Sequence, residues 1–134
     1  MNRKRLLFVD DEPAIRETLS LILPRYGFNV TLAATLEEAL EKIRQQEFDI
    51  LLSDLNIESN SDGYRVVRAM QASNPACLTV ILTGYGDVES GAEGSQLGID
   101  DYISKPVAPN ELVALLAEKL AAKSARFHRI ADAG

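Results

Sequence analysis

Cysteine is nearly absent from this chain. Its 134 residues hold one, Cys77, so no internal disulfide framework can form. That usage fits a reducing cytoplasm. Tryptophan is missing, yet 46% of the residues are hydrophobic, enough for one ordinary core and too many for a disordered chain. Positive charge is outweighed: the net charge of -6 would repel a duplex, so this domain is not expected to bind nucleic acid, and a DNA-related role would need another domain. No apolar stretch approaches the roughly 18 residues of a membrane span. The basic start, Met1 to Arg5, is followed by four apolar residues before Asp10-Asp11-Glu12 interrupts them, too short a run for a signal peptide. No internal repeat or low-complexity linker is present. The length indicates one domain, expected over 1–123, with 124–134 as a helical extension or tail.

What is present is a pattern of apolar runs that end in reactive polar groups. Leu6-Leu7-Phe8-Val9 leads into Asp10-Asp11, and Ile50-Leu51-Leu52-Ser53 into Asp54. Val80-Ile81-Leu82 leads into Thr83, and Asp101-Tyr102-Ile103-Ser104 into Lys105-Pro106. As parallel strands, these would gather three carboxylates, a hydroxyl and an amine at the carboxyl edge of one sheet, where open α/β sheets bind ligands.

The segments between them read as helices, so strands and helices alternate as in an α/β parallel sheet. Strands are expected near 5–9, 29–33, 49–53, 78–82 and 101–104. The first helix should carry Pro13 in its first turn and an apolar face of Ile15, Leu19, Ile22, Leu23 and Tyr26, with Gly27 as its stop. Thr35 and Glu38 form a capping box for a helix that buries Leu36, Ala39, Leu40 and Ile43. A polar loop over 56–62 precedes a helix with Val66, Val67 and Met70 that stops by Asn74-Pro75. A weak helix over 88–97 contains Gly91 and Gly94, each costing about 1 kcal/mol relative to alanine. The last helix starts near Pro109, carries Leu112, Leu115, Leu116 and Leu120, and its spacing continues through Phe127 and Ile130. The first, third and fourth strands are apolar throughout, as strands buried on both faces should be.

Two carboxylates about 4 Å apart repel by roughly 4 kcal/mol at an effective dielectric near 20. A cluster of Asp10, Asp11 and Asp54 therefore needs a proton, solvent or a cation. Oxygen-only ligands in an open pocket suit Mg²⁺, or Mn²⁺. Asp10 and Asp11 could instead simply favour a helix N-terminus. Thr83 and Lys105, each ending its own strand, make that simpler account insufficient. Cys77 reads as a structural residue before the fourth strand, and His128 as a surface residue of the tail.

The chain resembles the response-regulator receiver domains of two-component signalling from about Arg5 to Lys123. The matching motifs are Val9-Asp10-Asp11-Glu12, Ser53-Asp54-Leu55, Leu82-Thr83-Gly84-Tyr85-Gly86-Asp87 and Asp101 through Pro106. The resemblance implies a flavodoxin-like fold: a five-stranded parallel sheet of order 2-1-3-4-5 with helices on both faces. It implies Asp54 as phosphoacceptor, with Asp10, Asp11, Asp54 and the Asn56 backbone carbonyl around Mg²⁺. Thr83 would donate its hydroxyl to the phosphoryl group, and Lys105 would pair first with the carboxylate and then with that group. Tyr102 would be the switch aromatic, and Lys105-Pro106 a cis bond. The implied donor is a phosphohistidine of a sensor histidine kinase or phosphotransfer protein. The implied output is a change in the face built by the fourth helix, fifth strand and last helix, read by a homodimer partner or an output domain.

Two departures stand out. The run Leu55-Asn56-Ile57-Glu58-Ser59-Asn60-Ser61-Asp62-Gly63 lacks the Met-Pro pair common in the family and is one residue longer, and Val107 stands where phenylalanine is frequent. Tyr85, two residues beyond Thr83, is expected to shield the phosphoryl group from water. Two other readings remain open. One is a receiver-like binding module that is never phosphorylated. The other is an aspartate-nucleophile phosphatase of the haloacid dehalogenase type, which wants Asp-x-Asp where this chain has Asp10-Asp11-Glu12.

Overall fold

A computed structural model describes residues 3–84 and 96–133, with side chains as far as Arg126. The expected helix over 88–97 lies mostly outside the described residues, as do Gly91, Gly94 and Tyr85. Five strands, β1 (Lys4–Val9), β2 (Phe28–Ala33), β3 (Ile50–Asp54), β4 (Leu78–Thr83) and β5 (Asp101–Ser104), form one parallel sheet. Their order is β2-β1-β3-β4-β5, the flavodoxin-like arrangement expected from the resemblance.

Side-chain alternation splits the core into two layers. Leu7, Val9, Leu51 and Ile81 face one side, where they meet Ala39 and Ile43 of α2 (Leu36–Gln45) and Val66, Val67 and Met70 of α3 (Asp62–Ser73). Leu6, Phe8, Ile50, Leu52, Val80 and Leu82 face the other side. There they meet Leu19 of α1 (Pro13–Ile22) and Leu112 and Leu116 of the C-terminal helix (Pro109–Ala133). The apolar parts of β1, β3 and β4 are buried on both faces, which is why their sequences are unbroken apolar runs.

Local chemistry sets the helix ends. Pro13 occupies the first turn of α1, where a missing N–H costs nothing. Thr35 Oγ1 accepts from the Glu38 N–H at 3.0 Å, and Glu38 Oε1 accepts from the Ala34 N–H at 2.7 Å. The box thus closes one residue earlier than expected, on Ala34 rather than on Thr35. The first helix also differs from expectation. It ends at Ile22 and tightens into a 3-10 turn, Leu23–Tyr26, because Pro24 has no N–H for an α-helical bond. That turn leaves Tyr26 exposed rather than on the buried face, and Gly27 closes it in the left-handed region at φ 95°.

At the amino edge, Lys123 Nζ donates to the Cys77 carbonyl at 2.8 Å and to Asp100 Oδ2 at 2.7 Å. The same Asp100 oxygen accepts from the Thr79 N–H, which pins the C-terminal helix against the entry to β4. Cys77 is buried, and burial pushes its thiol up to about 12, consistent with a structural residue. Among the described residues, no helix is long and apolar enough to cross a membrane.

Candidate functional site

The parallel register brings the polar strand ends together. Val9 pairs with Ser53, Asp54 with Leu82, and Thr83 with Ser104. Asp10, Asp54, Thr83 and Lys105 therefore follow one another across four adjacent strand ends. Asp10, Asp11 and Asp54 each bring a carboxylate oxygen within 4.8 Å of the others. Asp10 is fully buried, Asp54 is 8% exposed, and Asp11 is open to solvent, so the pocket has a closed floor and an accessible mouth.

Lys105 spans the two buried acids. Its Nζ lies 3.0 Å from Asp10 Oδ2 and 3.2 Å from Asp54 Oδ2. The expected pairing with Asp54 is thus shared with Asp10. The Lys105–Pro106 peptide bond is cis, and the Lys105 N–H donates to the Thr83 carbonyl at 2.8 Å. Burial alone would lower the lysine's pKa, but the adjoining Asp10 and Asp54 carboxylates outweigh it and hold the ammonium above its ordinary value. Asp54 is pushed above the ordinary carboxylate value by burial. Lys105 and the Asn56 N–H pull it down, and the Asp10 carboxylate pushes it up further.

One ammonium thus pairs with two of the three clustered carboxyl groups. At 4.8 Å and an effective dielectric near 20, each ionised pair repels by roughly 3 to 4 kcal/mol. Asp10 Oδ1 accepts from the Glu12 N–H at 2.9 Å, and its buried Oδ2 has the Lys105 ammonium as its partner at 3.0 Å. The donor set is all oxygen, over-charged and open on one side, and it fits a hard divalent cation.

Thr83 sits at the mouth with its hydroxyl turned toward the Ile103 carbonyl, 3.5 Å away. Tyr102 is 42% exposed, and its hydroxyl lies 3.3 Å from that of Tyr64. Val107 packs against the second core layer.

Three contributors escaped the sequence reading. Gly63 donates its N–H to the Leu55 carbonyl at 2.7 Å, and a Cβ there would stand 2.5 Å from the Asp54 carbonyl oxygen. Buried Asp62 accepts from the N–H groups of Glu58 and Ser59 through Oδ2. Tyr64 is buried to 2% exposure beside them. The Asp62-Gly63 pair was a legible turn signal, whereas nothing local marked Tyr64.

Residues 6–117 match the profile of the response regulator receiver domain. The chain is 36% identical over 116 residues to the transcriptional regulatory protein ZraR of Escherichia coli, covering 87% of this chain and 26% of that protein. It is 34% identical over 110 residues to the cell cycle response regulator CtrA of Brucella ovis, covering 82% of this chain and 47% of that protein. The chain therefore spans about a quarter to a half of these curated relatives. A CheY-like receiver domain protein from Methanospirillum hungatei superposes with a TM-score of 0.85 at 31% identity, covering 93% of this chain and 99% of that one. Sheet order, strand-end chemistry and sequence similarity agree, and this chain belongs to the response regulator receiver domain family of two-component signalling.

Proposed function

We propose that Asp54 accepts a phosphoryl group from the phosphohistidine of a sensor histidine kinase or phosphotransfer protein. The observation that carries this reading is the position of Asp54. Its carboxylate, buried but with 11% of the side chain still exposed, contacts Lys105 and lies beside two further acids. An Asp54 carboxylate oxygen attacks phosphorus, an acyl phosphate forms, and the P–N bond to the donor imidazole breaks. Lys105 holds the carboxylate before transfer and then neutralises the new oxygens, while the Thr83 hydroxyl turns from Ile103 to donate to one of them. Asp10, Asp11, Asp54 and the Asn56 carbonyl would hold Mg²⁺ or Mn²⁺, which when bound stabilises negative charge on the transferring group. Asp54 phosphate then biases a two-state equilibrium through its differential contacts, with Tyr102 and the surface around β5 as the readout.

On this reading the chain is a signalling module of the cytoplasm that is consumed and regenerated, not a turnover enzyme acting on a separate substrate. A homodimer partner, or an output domain reached through the helix beyond 123, would read the changed face. The test is incubation with Mg²⁺ and acetyl phosphate followed by intact-mass measurement, with Asp54→Ala alongside. A gain of one labile phosphoryl group, absent in the variant, is expected. Multiple turnover without accumulation would indicate a phosphatase, and no reaction at all would indicate a binding module. Either result ends the reading.

A further inference from the structure

A tyrosine that is nearly half exposed ordinarily gives its hydroxyl to water. Tyr102 instead holds its hydroxyl 3.3 Å from that of Tyr64, a residue on another element and only 2% exposed. A buried phenol needs a hydrogen-bond partner, so the pair is held from the Tyr64 side as well.

Tyr64 stands in the first turn of α3, immediately after Gly63. That turn is pressed onto the end of β3, because the Gly63 N–H reaches the Leu55 carbonyl and the Gly63 Cα leaves no room for a Cβ against the Asp54 carbonyl. The backbone entering Tyr64 is thereby packed directly against that of Asp54 and Leu55. A continuous path of backbone and side-chain contacts runs from the Asp54 peptide through Gly63 and Tyr64 to Tyr102 on β5. It bypasses Thr83 altogether. We propose that Tyr64 is a positioning residue: its hydroxyl sets the posture of Tyr102 and ties the β5 surface to the backbone of the phosphoacceptor.

The Tyr64–Tyr102 contact is present before phosphorylation, whereas its response to phosphorylation rests on the function proposed above. The chain has four tyrosines, Tyr26, Tyr64, Tyr85 and Tyr102, so fluorine NMR of fluorotyrosine-labelled protein is readable and assignable with single Tyr→Phe variants. Tyr64→Phe removes one oxygen and keeps the ring. The Tyr102 resonance is expected to shift and broaden in that variant, with Tyr26, in the distant 3-10 turn, unmoved. Reciprocally, Tyr102→Phe should shift Tyr64.

After acetyl phosphate and Mg²⁺, intact mass verifies phosphorylation. The Tyr102 resonance should then move less in Tyr64→Phe than in the wild type. An unchanged Tyr102 resonance in Tyr64→Phe overturns the proposal, as does an equal disturbance of Tyr26, which would mark a general packing effect. If the wild type takes up no phosphoryl group, the phosphoacceptor reading fails, and the unphosphorylated comparison still decides the role of Tyr64.

Discussion

Gly63→Ala is the sharpest test of how the site is braced. The added Cβ would meet the Asp54 carbonyl oxygen at 2.5 Å, the Leu55 Cα at 2.9 Å and the Leu55 carbonyl oxygen at 3.0 Å. All three neighbours are backbone atoms of the chain leaving β3, so no flexible side chain can yield. Ordinary contact begins near 3.4 Å, and α3 must retreat from the end of β3 by a large fraction of an ångström. Overpacking of this kind costs about 1–3 kcal/mol. Stretching the 2.7 Å bond from the Gly63 N–H to the Leu55 carbonyl costs about 0.5–1.5 kcal/mol more. The better helix propensity of alanine returns at most about 1 kcal/mol. The net loss is about 2 kcal/mol, or roughly 7 °C in Tm for a chain of this length.

Urea unfolding followed by far-UV circular dichroism measures the loss, with Gly27→Ala as the contrast. Gly27 has open space around its Cα but a φ of 95°, so its cost is purely conformational and lies far from the site. Gly63→Ala should also slow acetyl phosphate labelling of Asp54, because the carbonyl it displaces belongs to that residue. Gly27→Ala should not. A midpoint within 0.5 kcal/mol of wild type, with an unchanged labelling rate, would show that α3 does not brace the phosphoacceptor.

Lys105→Met strips the cation from Asp10 and Asp54, and breaking such a buried pair costs about 3–5 kcal/mol. Millimolar Mg²⁺ should recover part of that loss in thermal melts; a variant as stable as wild type without the ion would contradict the charge assignment. The pH dependence follows from Asp54, whose pKa lies above its unfolded value near 3.8 because burial penalises the charge. The native state then binds the proton more tightly, so this group's contribution is fully present below pH 3.8 and is lost as pH rises through the raised value. Metal binding competes with that proton, so the Tm gain from Mg²⁺ should be larger at pH 8 than at pH 5. Asp54→Asn should remove this loss of stability with rising pH, and an unaltered pH profile would place the titration elsewhere.

Much of the site could be read in advance because it follows from topology. Once Leu6–Val9, Ile50–Ser53 and Val80–Leu82 are parallel neighbours, Asp10, Asp54 and Thr83 have to converge, whatever the details of packing. Lys105 follows in the same way from β5. What stayed hidden depends on side-chain choice between distant elements. Nothing local says that Lys105 divides itself between Asp10 and Asp54, and no spacing rule connects Tyr64 with Tyr102 across 38 residues. Gly63 reads as an ordinary turn glycine until α3 is laid against the end of β3. The first helix erred for a local reason. Apolar spacing continued through Tyr26, but Pro24 outweighed it by removing the N–H that the next α-helical bond required.

The loop after Asp54 shows how a departure from the family pattern can still preserve a rigid site. Without a proline to restrict the backbone, the chain uses polar side chains to order the longer loop. Asn56 Oδ1 accepts from the Ser61 N–H at 2.7 Å, and Asp62 Oδ2 accepts from the Ser59 N–H at 2.9 Å and the Glu58 N–H at 3.2 Å. Glu58 Oε1 reaches the Leu36 N–H of α2 at 3.1 Å. Ser61, whose φ of 68° lies in the left-handed region, reverses the chain just before α3. These bonds hold the loop at both ends and tie its middle to a neighbouring helix. The Asn56 backbone, on which the proposed metal ligand sits, is therefore set by hydrogen bonding rather than by the fixed torsion of a proline. Proline stiffens a loop in the unfolded chain as well, whereas the Glu58 bond to Leu36 exists only once α2 is in place. Local bonds thus shape the loop, and the packing of α2 and of Gly63 against the end of β3 fixes its place beside Asp54.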